Sequence, residues 1–119
     1  MSSKILIIDD ELDIVSMVKM RLEANNYTVI SAFNGLEGLE KVKNEKPDLI
    51  ILDIMMPKMD GFTFVQELKK NSEGKKIPII ILSVKDKMQD IFKMEGVQDY
   101  VIKPFVAEML LERIRKYIR

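Results

Sequence analysis

The sequence predicts an α/β layer fold, an open doubly wound parallel sheet of five strands in the order 2-1-3-4-5, flanked by five helices. Five short apolar runs carry this reading: Lys4–Ile8, Thr28–Ala32, 49–52, 78–82 and Asp99–Ile102. They alternate strictly with segments of helical apolar spacing. The first, third and fourth runs are continuous Ile and Leu, as in strands buried on both faces of a parallel sheet. Five βα units are too few for a closed eight-unit barrel, so the sheet is open, with right-handed crossovers. For a doubly wound sheet of this size the order 2-1-3-4-5 makes the first and third strands neighbours.

Each element has its own marks. After the first strand, Leu12, Val15, Val18 and Leu22 define one face of a first helix, which Asn25-Asn26 closes. Asn34-Gly35 opens a second helix, marked by Leu36, Leu39 and Val42. Lys46-Pro47-Asp48 precedes the third strand. Phe64, Val65 and Leu68 mark a third helix, and Asn71-Ser72-Glu73-Gly74 separates it from the fourth strand. Met88, Ile91 and Phe92 mark a fourth helix. Met109, Leu110, Ile114 and Tyr117 mark a fifth, with Leu111 and Ile118 widening its stripe.

The length of 119 residues fits one domain, taken as residues 1–119. Lys plus Arg and Asp plus Glu number 19 each, so net charge calls for neither nucleic acid nor an anionic membrane as a direct partner. With no Cys, disulfides and thiolate metal sites are excluded, and with no His so is imidazole catalysis. A metal would have to be a hard cation held by oxygen. No apolar run approaches a membrane span, and the start lacks a signal-peptide core, so a cytoplasmic protein is expected. The nine Met residues read as gap fillers.

Ligands of open α/β sheets sit beyond the carboxyl ends of the strands, at the point where strand order reverses. There the first strand ends in Asp9-Asp10-Glu11 and the third in Asp53. Two carboxylates about 4 Å apart repel by about 4 kcal/mol at an effective dielectric of about 20, so convergence demands positive charge. Two sources fit: an oxygen-preferring divalent cation such as Mg²⁺, and Lys103 after the fifth strand. Ser83 brings a hydroxyl to the end of the fourth. Taken singly, each residue has a plainer reading: Asp10 as a helix N-cap with Glu11 favoured by the helix dipole, Asp53 and Ser83 as turn residues, Lys103 as a solvated charge. A structural role explains each alone but not the whole set on one rim.

Carboxylates form aspartyl-phosphate intermediates, and phosphoryl transfer needs mainly positioning and charge neutralisation. A hard cation and an ammonium supply both, and Ser83 can donate to a phosphoryl oxygen. The sequence has no Gly-rich loop ending in Lys-Ser/Thr, so a nucleotide is not the expected donor.

The motifs resemble those of bacterial response regulator receiver domains, from Lys4 to the C-terminus. They are Ile5-Leu6-Ile7-Ile8-Asp9-Asp10-Glu11, Leu49-Ile50-Ile51-Leu52-Asp53-Ile54-Met55-Met56-Pro57-Lys58-Met59-Asp60-Gly61, Pro78-Ile79-Ile80-Ile81-Leu82-Ser83 and Asp99-Tyr100-Val101-Ile102-Lys103-Pro104-Phe105. The resemblance implies a flavodoxin-like fold with Asp53 as phosphoacceptor. It implies Mg²⁺ held by Asp10, Asp53 and the Met55 backbone carbonyl, with Asp9 acting largely through water. Ser83 resembles the switch hydroxyl, Lys103 the family's lysine and Tyr100 the switch aromatic. The phosphodonor it implies is a phosphohistidine on a histidine kinase or phosphotransfer protein, with the receiver catalysing both its own phosphorylation and its dephosphorylation.

Two departures stand out. Val84 follows Ser83 where the family usually has a smaller residue. It is expected to narrow access and slow phosphoryl exchange, so Val84→Ala should speed hydrolysis of the aspartyl phosphate, read as its half-life. The segment from 83 to 103 is slightly shorter than is usual in the family, so a shortened fourth helix or adjoining loop is expected to alter the output face. The expected output surface is the fourth helix, fifth strand and fifth helix, with Lys87, Lys93, Asp99, Glu108, Arg113 and Lys116; its plain reading is a solvated mixed-charge face. Asp99 and Arg113 resemble part of a dimerisation network, but Met109 stands where that network wants an acid. A phosphorylation-dependent homodimer and a downstream effector both remain as partners. The main alternative function is a phosphorylation-independent interaction module, which would be expected to have lost the acceptor or the acid pair. A flavin or nucleotide binder would want a phosphate loop after the first strand, and a metal-dependent phosphatase would want further motifs.

Overall fold

The computed structural model describes residues 3–54, 59–84 and 96–118. Five parallel strands, β1 (Lys4–Ile8), β2 (Thr28–Ala32), β3 (Leu49–Asp53), β4 (Ile79–Ser83) and β5 (Asp99–Ile102), form one sheet in the order β2-β1-β3-β4-β5. The helices among the described residues are α1 (Leu12–Ala24), α2 (Gly35–Glu45), α3 (Gly61–Lys69) and α4 (Ala107–Ile114). The fourth helix expected around Met88, Ile91 and Phe92 lies outside the described residues, so α4 is the fifth helix of the sequence reading.

Side-chain alternation divides the core into two layers. Ile5, Ile7, Leu49, Ile51, Ile80, Leu82 and Val101 pack with Val15, Val18 and Leu22 of α1 and Leu110, Leu111 and Ile114 of α4. Leu6, Ile8, Ile50, Leu52, Ile79 and Ile81 pack on the other face with Phe64, Val65 and Leu68 of α3. The three inner strands are covered on both faces, which explains their unbroken Ile and Leu; each such side chain contributes roughly 1.5–3 kcal/mol.

The strand limits differ slightly from the expected ones. β3 runs on through Asp53, and β4 is shifted by one residue to end at Ser83. Both polar residues are thus held by ladder pairing, Asp53 opposite Leu82 and Ser83 opposite Ile102.

Three residues expected on core faces are exposed: Leu12 (63%), Leu36 (55%) and Met109 (45%). Each lies in the first turn of a helix that starts at the carboxyl edge of the sheet, where no strand remains beneath it. Tyr117 lies beyond α4 in a turn, yet packs against the first core layer as expected. Asn34 caps α2 by accepting from the Glu37 N–H at 2.9 Å.

At the opposite edge of the sheet, a 3-10 turn at Gly74–Lys76 approaches the end of α3 very closely. A Cβ on Gly74 would lie 2.2 Å from the Leu68 carbonyl oxygen, a backbone atom with little room to retreat. Gly74→Ala is therefore expected to cost about 1–3 kcal/mol, read as a lowered urea midpoint.

Candidate functional site

The parallel sheet brings the ends of β1, β3, β4 and β5 to one rim. Asp9 follows β1, and its backbone N–H donates to the Ala32 carbonyl at 3.1 Å, extending the ladder by one step. Lys103 follows β5 and is fixed in the same way, its N–H donating to the Ser83 carbonyl at 2.7 Å. Asp53 is the last residue of β3, between these two strands' ends.

One carboxylate oxygen from each of Asp9, Asp10 and Asp53 lies within 4.8 Å of the others. Asp9 and Asp53 are buried and Asp10 is exposed, so the pocket has a dry floor and an open mouth. Three hard oxygen donors at this spacing suit a small divalent cation. The Met55 carbonyl, expected as a further ligand, lies outside the described residues.

The Lys103 ammonium stands over the cluster. It donates to Asp9 Oδ2 at 3.2 Å and Glu11 Oε1 at 2.9 Å, and lies 3.4 Å from Asp53 Oδ2. Burial pushes its pKa down, but the bond to Glu11 and the charges of Asp53 and Asp9 outweigh burial and raise it. Lys103 is therefore cationic at neutral pH. Its contribution to stability is present there and is lost only as the pH rises through the raised value. The other oxygen of Asp9, Oδ1, accepts from the Glu11 N–H at 2.9 Å, so backbone and lysine together orient that carboxylate.

Asp10, which read singly as an N-cap, does not cap α1. Glu11 occupies that position, and its side chain makes no capping bond. Among the described residues, the contact of Glu11 with Lys103 is the feature of the site that the sequence reading missed. Its signal was a third acid directly after the acid pair.

Ser83 is buried, and its hydroxyl donates to the Val84 carbonyl at 3.1 Å. By alternation along β4 it shares a face with Ile79 and Ile81, and Tyr100 packs, partly buried, into that same layer. Asp9, Asp53 and Lys103 follow the opposite parity. The pocket and the Ser83–Tyr100 pair therefore address different faces of one sheet. Val84 is 40% exposed at the rim.

The residue after β3 and the start of α3 are tied together. The Gly61 N–H donates to the Ile54 carbonyl at 3.2 Å, and Asp60 caps α3 by accepting from the Thr63 N–H at 2.8 Å. A Cβ on Gly61 would lie 2.8 Å from Ile54 Cα, which accounts for the Asp60-Gly61 pair.

On the β5–α4 side, Arg113 Nη1 pairs with Asp99 Oδ1 at 3.3 Å within the chain. The Tyr117 hydroxyl also reaches Asp99 Oδ2 at 3.1 Å and the Gln98 carbonyl at 3.0 Å. The two residues expected in an intermolecular network thus already have partners. Lys87 and Lys93 lie outside the described residues.

This geometry defines a doubly wound α/β domain with an acidic pocket and a half-buried lysine at its switch point. The family profile described as "Response regulator receiver domain" matches residues 5–115, and the chain belongs to that family. It is 45% identical, over 98% of its length, to a probable transcriptional regulator, ycf27, of Porphyridium aerugineum, and covers 48% of that protein. It is 40% identical, over its whole length, to the alkaline phosphatase synthesis transcriptional regulatory protein PhoP of Bacillus subtilis, covering 50% of it. The chain thus spans about half the length of these curated relatives. Among solved structures, the chemotaxis response regulator CheY4 of Vibrio cholerae superposes with a TM-score of 0.93 at 32% identity, over 99% of this chain and 100% of that one. Among the described residues no helix is long and apolar enough to cross a membrane.

Proposed function

We propose that this receiver domain is a phosphorylation switch in which Asp53 accepts a phosphoryl group from a phosphohistidine of a histidine kinase or phosphotransfer protein. The observation that carries the reading is the single ammonium of Lys103 lying within 3.4 Å of both Asp9 and Asp53, in a pocket where three aspartate oxygens converge. In the transfer, an Asp53 carboxylate oxygen attacks phosphorus, the P–N bond breaks, and its electron pair returns to the imidazole of the donor. Lys103 neutralises an oxygen of the phosphoryl group, and the Ser83 hydroxyl turns from the Val84 carbonyl to donate to another. In dephosphorylation water attacks phosphorus, the O–P bond to Asp53 breaks with its electron pair returning to the carboxylate, and inorganic phosphate leaves. Mg²⁺ held by Asp10 and Asp53, with Asp9 through water, would supply the remaining charge neutralisation.

The switch follows from the two-faced arrangement. A phosphoryl group adds about −1.5 to −2 charge. Drawing Ser83 toward it changes the face that Ser83 shares with Tyr100, and Tyr100 follows into the space released. Full conversion between two states needs about 5.5 kcal/mol of differential stabilisation, a scale that several charge-assisted bonds reach.

We assign the output surface to the expected fourth helix, β5 and α4; at the start of α4, Val106 and Met109 are exposed. A second copy of the chain and a downstream effector are its two candidate partners; sedimentation with and without an acyl-phosphate mimic separates them. The reading places the protein in the cytoplasm. An interaction module that works without phosphorylation is disfavoured, because Asp9, Asp10, Asp53 and Lys103 are all kept and assembled.

Incubation with acetyl phosphate and Mg²⁺, read by intact mass, tests the proposal. One phosphoryl adduct is expected on the wild type and none on Asp53→Asn. Equal labelling of both proteins would refute it.

A further inference from the structure

We infer that Glu11 is a positioning residue that holds the Lys103 ammonium at the edge of the acidic pocket and competes for it with the incoming phosphoryl group. The inference rests on the phosphoacceptor reading above. Glu11 has the backbone of an N-cap (φ −90°, ψ 106°) but gives α1 no side-chain cap. Its carboxylate instead reaches Lys103 at 2.9 Å, the shortest of that lysine's three carboxylate contacts.

Glu11 differs from the other two acids that Lys103 touches. Asp9 and Asp53 belong, with Asp10, to the group of oxygens close enough to share an ion, and Glu11 does not. The Glu11 side chain is 57% exposed, whereas those of Asp9 and Asp53 are 0% and 5% exposed. An ammonium has three N–H donors, and three carboxylates surround this one. A divalent cation held by the three aspartates would offset most of the charge of two of those three carboxylates, Asp9 and Asp53. Glu11, outside that group, would then be the carboxylate on Lys103 whose charge the cation offsets least, and a phosphoryl group at Asp53 must win the ammonium from it. The charge of Glu11 also stands beside the developing charge of that group.

Both effects disfavour an anion at Asp53, and the same charge favours a cation among the aspartates. Removing it should therefore move the two affinities in opposite directions, whereas a folding defect would weaken both. Calorimetric titration of wild type and Glu11→Gln, first with Mg²⁺ alone and then with beryllofluoride at saturating Mg²⁺, reads them separately. For Glu11→Gln, Mg²⁺ affinity should fall and beryllofluoride affinity should rise, each roughly two- to fivefold at low salt, as expected for a pair with one exposed partner. Both differences should shrink toward about 1 M salt, where charges are screened within about 3 Å. Glu11→Asp, which keeps the charge, should lie nearer the wild type for Mg²⁺. Shifts of the same sign, or no shift, would overturn the role of Glu11 while leaving the phosphoacceptor reading intact. Failure of the wild type itself to bind beryllofluoride with Mg²⁺ would overturn that reading and this inference together.

Discussion

Replacing Lys103 with methionine is expected to lower the stability of the metal-free protein by about 3 kcal/mol and to slow phosphoryl transfer to Asp53 by about 10²- to 10³-fold. Methionine keeps much of the aliphatic stem, so the loss isolates the charge. The Asp9 and Asp53 side chains are almost wholly buried, and that of Lys103 is 13% exposed, so water replaces little of the lost attraction. Removing one partner of a buried pair leaves the other charge uncompensated, which costs more than the pair contributes. The exposed carboxylates of Asp10 and Glu11 keep water at the rim, which holds the cost to the low end of that range. Mg²⁺ should recover much of the loss, because a divalent ion neutralises the same carboxylates. The gain in urea midpoint on adding Mg²⁺ should thus be larger for Lys103→Met than for wild type. Equal stability of the two proteins in a chelator would contradict the account.

Asp53→Asn should do the opposite to stability while abolishing phosphoryl uptake. Asp53 has an attraction to Lys103 at 3.4 Å and repulsions from two aspartates within 4.8 Å. At an effective dielectric of about 20 the attraction is about 5 kcal/mol and each repulsion at least about 3.5 kcal/mol. Among these three charge contacts the repulsions win by about 2 kcal/mol. Exposure of Asp10 screens part of this, leaving a net relief of about 1 kcal/mol. Metal-free Asp53→Asn is therefore expected to be more stable than the wild type, as when a binding site is kept at a cost to the fold. Adding Mg²⁺ should narrow or reverse that order, since the wild type has the extra ligand. Urea unfolding with and without Mg²⁺ measures both. Lower stability of metal-free Asp53→Asn would show that Lys103 already overcompensates the cluster.

The fold was legible because its inner strands are buried on both faces, which writes continuous apolar runs into the sequence, and because the caps at Asn34 and the Asn25-Asn26 turn are local. The pocket was legible because strand ends in a parallel sheet converge on one rim whatever the side-chain details. The exposed first-turn residues Leu12, Leu36 and Met109 could not be separated from core residues by periodicity. They satisfy helical spacing, but the sheet stops before reaching them. The Glu11–Lys103 contact joins residues 92 positions apart and depends on a cap that goes unmade, so the third acid after the pair marks Glu11 without naming its partner. Pairing of Asp99 with Arg113 and Tyr117 inside the chain was hidden for the same reason, since spacing cannot tell an internal partner from an external one.

The most direct test reads the modified residue itself. After incubation with acetyl phosphate and Mg²⁺, borohydride reduction converts an aspartyl phosphate to homoserine, which peptide mass spectrometry locates. The account predicts homoserine at position 53 alone, and only when Mg²⁺ was present. Homoserine at position 9 or 10, or labelling that persists in a chelator, would contradict it.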